Sequence, residues 1–417
     1  MPQRKCTRTK EKVRPSKRIV LPIEMKKYQE IVQQRDTFRM YVDEMITNHP
    51  ELFPVEIKHG YRLHDMRTSV KMPEIYLRRI KVLGKEQEQV FTIAPSGVLP
   101  YMTGCTDEVE KALFLRRFNV PFWGLTYVFG KNDSYWYRLA SHFGRYEIVQ
   151  TTVKEADKLP EDLLADEKHT RFNGEKAYLA TTVAEDCVLG VSISLKADEK
   201  GLTEAYGHFQ QEAKHLKADY EPKTVNIDGW AATQNAWQTL FPAITIIECF
   251  LHAFLKIRNR CQKKFKHLYS DISQRVWDIY HAEDVPTFQE RVVHLQQWAQ
   301  QTVTGTVLQV IEKLCSKADQ FLLAFEFPNA YRTSNMIDRQ MDPMDRWLFE
   351  MRYFHGHLSS AERQVRAWAL LHNFRPYCSR AKIGKYFQSP AHKLNGFVYH
   401  ENWLHNLLIS TSIAGVT

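Results

Sequence analysis

Three aspartates sit where they could support phosphoryl chemistry: Asp166 in LLADEKH, Asp228 in NIDGW and Asp338 in TSNMID. Each borders an apolar run, where a strand or helix would end or begin, so a fold could gather all three into one crevice. Carboxylate oxygens are hard ligands that suit Mg²⁺ or Mn²⁺, ions that keep open positions for water and phosphate oxygens. Two such ions about 4 Å apart would clamp the attacking and leaving oxygens of an in-line displacement at phosphorus. On this reading Asp166, Asp228 and Asp338 are both the catalytic and the metal-binding residues. Gly229, directly after Asp228, would leave room for a DNA backbone.

Those acids need elements to carry them. EDLLAD (161–166), KAYLATTVA (176–184) and CVLGVSISL (187–195) read as strands, with Glu185-Asp186 as a hairpin turn between the last two. A helix over 202–219, a strand over 223–229, a helix over AATQNAWQTL, a strand over 243–249 and a helix over 251–268 follow. This α/β order is the element sequence of a ribonuclease H-like fold. Asp166 would end the first strand, Asp228 the fourth, and Asp338 would open a helix laid across the sheet. With Asn335 as cap, Asp338 takes the third helical position, where an acid favours the helix amino end without any metal. Pro343 disrupts a helix interior, or lets a new helix restart with Asp342 as cap. Asp342 and Asp345 then compete as third ligand, and the TSN-x-x-acid register favours Asp338. Residues 271–330 read as an all-helical insertion.

Upstream, 23–48 reads as a helix and 53–100 as a small sheet or irregular module. Between 107 and 145 lies a helical cluster, with Gly130 as a stop and Asn132, Asp133 and Ser134 as caps. Two short helices around a tight polar turn are what a helix-turn-helix requires. Arg138 and Arg145, with His142, Tyr135, Trp136 and Tyr137, fall on or just after its second helix. Some could reach base edges, while at least half of the aromatics are expected in the module's own core.

The run NIDGWAATQNAWQTLFPAITIIECFLHAFLKIRNR, followed by the acid of TSNMID, resembles the catalytic domain of Mutator-like DDE transposases of insertion sequences. The resemblance covers about residues 155–375 and includes the acid spacing and a C-x-x-H element, matched by Cys249 and His252. It implies metal-dependent phosphodiester hydrolysis at element ends, then strand transfer into target DNA. It also implies a Mg²⁺ or Mn²⁺ cofactor, double-stranded DNA as partner (terminal inverted repeats and target), and a homo-oligomer on DNA. The family's last acid is usually Glu, where this chain has Asp338. The alternative reading is therefore a catalytically inactive or domesticated DNA-binding derivative of a transposase.

Other candidates are weighed on their own residues. Cys249 and His252, one helical turn apart, are two ligands short of a tetrahedral zinc site, and a supporting polar contact fits them better. Arg258, Arg260, Lys263, Lys264 and Lys266 form a basic run that could meet DNA phosphates. Glu167, Glu185, Asp186 and Asp198 read as solvated turn residues. His355, His357, His372 and Cys378 have no metal spacing, and Trp230 and Trp237, two turns apart, read as core.

The 417 residues carry 57 Lys and Arg against 48 Asp and Glu, a net charge of +9. Residues 1–18 hold eight of the bases and one acid, so +7 of that total sits in the first eighteen positions. Expected organisation is a basic disordered arm (1–20), an N-terminal DNA-binding region (21–150), the catalytic domain (155–375) and a C-terminal segment (376–417). The arm has no apolar stretch behind its charges, so it reads as neither signal peptide nor anchor. The run 240–255 carries Glu248 and His252 and is too short for a membrane span. Seven cysteines without a C-x-x-C pair argue for a reducing compartment, hence a cytoplasmic, nucleoid-associated protein in a prokaryote.

Overall fold

The computed structural model describes residues 14–84 and 87–416, without the side chains of 14–15 and 262–264. Two short strands open it, β1 (Arg14–Pro15) and β2 (Arg18–Leu21), followed by helices α1 (Met25–Ile31) and α2 (Arg35–Asn48). The strands β3 (Tyr61–Ser69), β4 (Met72–Val82) and β5 (Gln89–Pro95) complete a four-stranded sheet in the order β2-β5-β4-β3. Only the β2–β5 pair in it is parallel. The expected arm therefore ends earlier than residue 20. Ile19, Val20 and Leu21 follow its charges directly and are buried against β5, which draws the chain into the sheet from Arg18 on, while Arg14 and Pro15 pair elsewhere. Residues 1–13 lie outside the described residues.

Helices α3 (Thr106–Leu115), α4 (Phe122–Phe129), α5 (Asp133–His142) and α6 (Ile148–Thr152) follow. Gly130 ends α4 at φ +70°, and the Asn132 side chain caps α5 by accepting from the Tyr135 amide. The helix–turn–helix spacing read from the sequence is thus present at α4–α5. Trp136 is buried in the core, whereas Trp123 and Tyr127 on α4 are exposed.

The central sheet holds β6 (Asp162–Phe172), β7 (Glu175–Ala184), β8 (Cys187–Ser194), β9 (Thr224–Ile227) and β10 (Thr245–Glu248). Its order is β10-β9-β6-β7-β8, an antiparallel meander β6–β7–β8 extended by two parallel strands. Asn173-Gly174 and Glu185-Asp186, all at positive φ, make the two hairpin turns, matching the twist of the strands they join. The parallel strands are reached through α7 (Glu199–Leu216) and α8 (Ala231–Leu240). These helices cover one face with Tyr206, Phe209 and Trp237, against Ala180, Leu189 and Val225.

After β10 come α9 (Phe250–Lys264), α10 (Tyr269–Tyr280), α11 (Val285–Thr302), α12 (Gly305–Ser316) and α13 (Ala318–Glu326). They share a core of their own, built on Phe250, Phe254, Ile272, Phe288 and Ile311. Helices α14 (Asn335–Glu350) and α15 (Leu358–Phe374) then cover the second face of the sheet. The break expected at Pro343 is not there, because α14 runs through it.

Two short helices, α16 (Pro390–Asn395) and α17 (Trp403–Ser410), lead to β11 (Gly415–Val416), which pairs with β1. The span 376–417 is thus no appended segment. Ser412 Oγ accepts from the Val20 amide and donates to the Leu52 carbonyl, and α17 packs on α3 and β2. One hydrophobic core runs from Ile19 and Ile80 through Trp136 to Leu164, Val191 and Leu408, so the amino-terminal region and the sheet are a single packed body.

Their junction is polar. Glu212 on α7 accepts from the amides of Ile148 and Val149 at 2.5 and 3.0 Å and pairs with Arg366 on α15 at 2.6 Å. Arg366 also donates to the carbonyls of Gly144 and Tyr146. Removing one partner of a buried ion pair costs roughly 3–5 kcal/mol, because the other charge is left uncompensated. Arg366→Leu should lose about that much stability in urea unfolding, and a variant within 1 kcal/mol of the parent would contradict this account.

Candidate active site

The parallel register builds the site. Leu164 pairs with Asn226 and Glu248 with Ile227, so the next step of the pleat sets Asp166, Asp228 and Cys249 in one row across three adjacent strands. Neighbouring strands are about 4.8 Å apart, so side chains in such a row are neighbours. Asp166 does not end its strand, as the sequence suggested. β6 continues to Phe172 along β7, because the Asn173-Gly174 turn, unread in the sequence, comes six residues later. What stops two residues before Asp166 is the pairing with β9, and that opens the crevice.

Asp338 reaches the row through Cys249. The Cys249 thiol accepts the Ser334 amide at 3.1 Å, and the Phe250 amide donates to the Arg332 carbonyl, which pins the start of α14 to the end of β10. Ser334 is the cap, so Asp338 falls at the fourth helical position and not the third. Its Oδ2 accepts from Ser334 Oγ at 2.8 Å. The Asp166 and Asp228 Oδ1 atoms accept from the Glu167 and Trp230 amides. Each acid thus spends one oxygen on a local hydrogen bond, and among the described residues no hydrogen bond is seen to the other.

Electrostatics agree with convergence. Burial raises the Asp166 carboxyl above its ordinary pKa, the Glu167 amide and His252 oppose this, and the charges of Asp228 and Asp338 raise it further. His252 on α9 is raised to about 9 by its hydrogen bond with Cys249, against burial, with Asp166 and Asp228 contributing. Burial pushes the Cys249 thiol up, but His252 and Ser334 bring it below its ordinary value. The pair therefore acts as the brace read from the sequence, and it sets a positive charge beside the acids. Three oxygen donors of like charge in a shared crevice fit a hard divalent cation. Among the described residues, however, no group of three or more His, Cys, Asp or Glu side chains is placed closely enough to hold a metal ion as they stand.

The other candidates disperse. Asp345 pairs with Lys168, and Asp342 is exposed. Glu185 and Asp186 form the hairpin turn and both pair with Lys393, while Asp198 caps α7. Arg138 and Arg260 are exposed, Arg145 and Arg258 half-buried, and the Lys263 and Lys264 side chains lie outside the described residues. Trp237 is core, as expected, and Trp230 lies beside Tyr178.

Two acids were misread or missed. Glu167 is no turn residue. It lies in the sheet, accepts the hydroxyls of Tyr206 and Thr233 at 2.7 Å each, and is raised to about 7 by burial, against those hydroxyls. Its place beside Asp166, on the face covered by α7, becomes visible only once β6 is known to continue. Glu248, the one acid in an otherwise apolar run, sits next to Gly229 and pairs with Lys317 at the end of α12. Gly229 is at φ +82°, and a Cβ there would lie 2.9 Å from a Glu248 oxygen, so its backbone and Glu248 already require a glycine here.

No protein-family model matches the chain, and no curated protein matches it. The site's geometry therefore carries the functional reading. Gly229→Ala should cost about 2 kcal/mol, half or more of it from the left-handed backbone. In a double-mutant cycle Glu248→Ala should restore only the contact part, and full restoration would show that the backbone is unstrained.

Proposed function

We propose that the chain is a DDE-type DNA transposase, a divalent-metal-dependent DNA nuclease and strand transferase. The reading is supported by the β6–β9 register, which sets Asp166 and Asp228 in one row, and by Asp338 lying near enough for its charge to act on Asp166. Strand order β10-β9-β6-β7-β8, with its meander and crossovers, supports a ribonuclease H-like catalytic domain. The helices α10–α13 fit an all-helical insertion before the third acid.

A Mg²⁺ or Mn²⁺ ion held by Asp166, Asp228 and Asp338 would supply charge neutralisation and water activation. The chain's own residues do the placing. The β6–β9 register fixes two carboxylates side by side, and Cys249 fixes the third. His252 adds a cation that offsets their repulsion. In the first step water adds to phosphorus at the element end and the P–O3′ bond breaks, giving a 3′-hydroxyl and a 5′-phosphate. In the second that 3′-oxygen attacks a target phosphorus, and the target's 3′-oxygen leaves with the proton. Duplex DNA would be gripped by α4–α5, with Arg138 and Tyr137 exposed, and by Arg260 on α9. Pairing two ends implies a homo-oligomer on DNA, and such a protein would act at the nucleoid. No described helix is long and apolar enough to cross a membrane.

The hydrogen bond from Ser334 to Asp338 favours a second reading, a derivative that binds DNA without cutting, in which Asp338 only serves its helix. Asp228→Asn should bind an end-containing duplex as the parent does and lose Mg²⁺-dependent nicking by about a thousandfold or more. Nicking that survives in this variant refutes the assignment, and a parent chain that binds but never nicks supports the second reading.

A further inference from the structure

Between the α3–α5 cluster and the α14–α15 pair lies a solvent-open cleft with a cavity of about 70 Å³. One wall is aromatic: Trp347, Trp368 and His372 stand in a ladder, with centroids 6.1 and 5.0 Å apart and rings tilted by 33° and 27°. The facing wall carries Arg116, whose guanidinium lies 4.4 Å over the Phe122 ring, and Arg117, which donates to the Pro376 carbonyl. Arg375 completes the lining. No Asp or Glu among the described residues lines the cavity.

Two features are costly as they stand. Three guanidinium groups line a partly desolvated space; Arg116 has the Val120 carbonyl and the charge of Glu350 to answer it, while burial together with the charge of Arg117 holds Arg375 down at about 9. His372 is 3% exposed, stacks on Trp368, and among the described residues meets only the backbone of Asp186 through its ring nitrogens. Buried charges and polar groups persist when a ligand completes them. Cations call for an anion, and the aromatic wall calls for a flat ring, so the chemistry that answers both is a nucleotide.

Helix α14 ties this cavity to the candidate active site. Asp338 lies in its first turns and Trp347 nine residues on, about 13 Å along the axis at 1.5 Å per residue. A base inside a duplex cannot present its face to a side-chain wall, whereas an unpaired one can. We propose that this cavity binds an unpaired nucleotide of a DNA strand, its base against Trp368 and its phosphate on Arg117 and Arg375. The inference rests on the reading of the chain as a DNA-acting protein, but its chemistry is separate from the carboxylates.

Calorimetric titration of the full chain with the trinucleotide (dA)₃, with dAMP and with inorganic phosphate tests it. (dA)₃ should bind, dAMP about tenfold more weakly, and phosphate not at all at the same concentrations. Trp368→Leu and Arg375→Gln should each weaken (dA)₃ binding by about tenfold. Asp228→Asn should leave it unchanged, so loss of nicking and loss of this site are read apart. Arg117→Gln is the further variant if either of the first two lowers the melting temperature. Phosphate binding as well as (dA)₃ would reduce the cavity to a general anion site and overturn the proposal. Equal affinity for dAMP and (dA)₃ would overturn the assignment to a strand, and unchanged affinity in the variants would place the nucleotide elsewhere.

Discussion

The fold turns on one carboxylate. Glu212 has two oxygens and three obligations: two amides that open α6, and the guanidinium of Arg366. Arg366 passes the contact on to the carbonyls that precede α6, so the end of the amino-terminal region, the long crossover helix and the last helix over the sheet meet at one point. Gly144 belongs to the same constraint, because a Cβ there would lie 1.8 Å from the Arg363 carbonyl oxygen of α15. Polar junctions of this kind are poor sources of net stability, but they are exacting about geometry. Here that exactness sets how the amino-terminal helices stand relative to the sheet, and therefore how α4–α5 stands relative to the carboxylates.

At the site the governing constraint is repulsion. Three carboxylates are placed where none can relax away: two by strand register, the third by a helix whose start is tied to Cys249. The protein offsets part of the resulting field with His252 and part of the neighbouring Glu248 with Lys317. What remains is an acidic crevice with spare oxygens.

Much of this was legible from residue pattern. The order of strands and helices from 161 to 268 followed from apolar runs and turn residues, and the three acids could be named because each borders such a run. Three things were hidden. The length of β6 was missed because its second half, Glu167 to Phe172, is polar until Phe172 and so lacks an apolar strand pattern, and it ends at an Asn-Gly turn that was not weighed. The path of α14 through Pro343 was missed because local propensity argues against it, while Ile337, Met341, Met344 and Leu348 bury along one face and hold it together. The union of amino-terminal region, sheet and carboxy-terminal segment was missed because no local signal announces a contact between residues 20 and 412.

That last contact has a consequence for when the molecule can exist. β1 and β2 are made first at the ribosome, yet β1 finds its pairing partner only in residues 415 and 416, and the Val20 amide its acceptor only at Ser412. Contacts this distant along the chain form late and slowly. The amino-terminal sheet is thus left with an open seam throughout translation, and a chain that stops short of its last few residues is not a smaller working protein but one whose first strands were never closed.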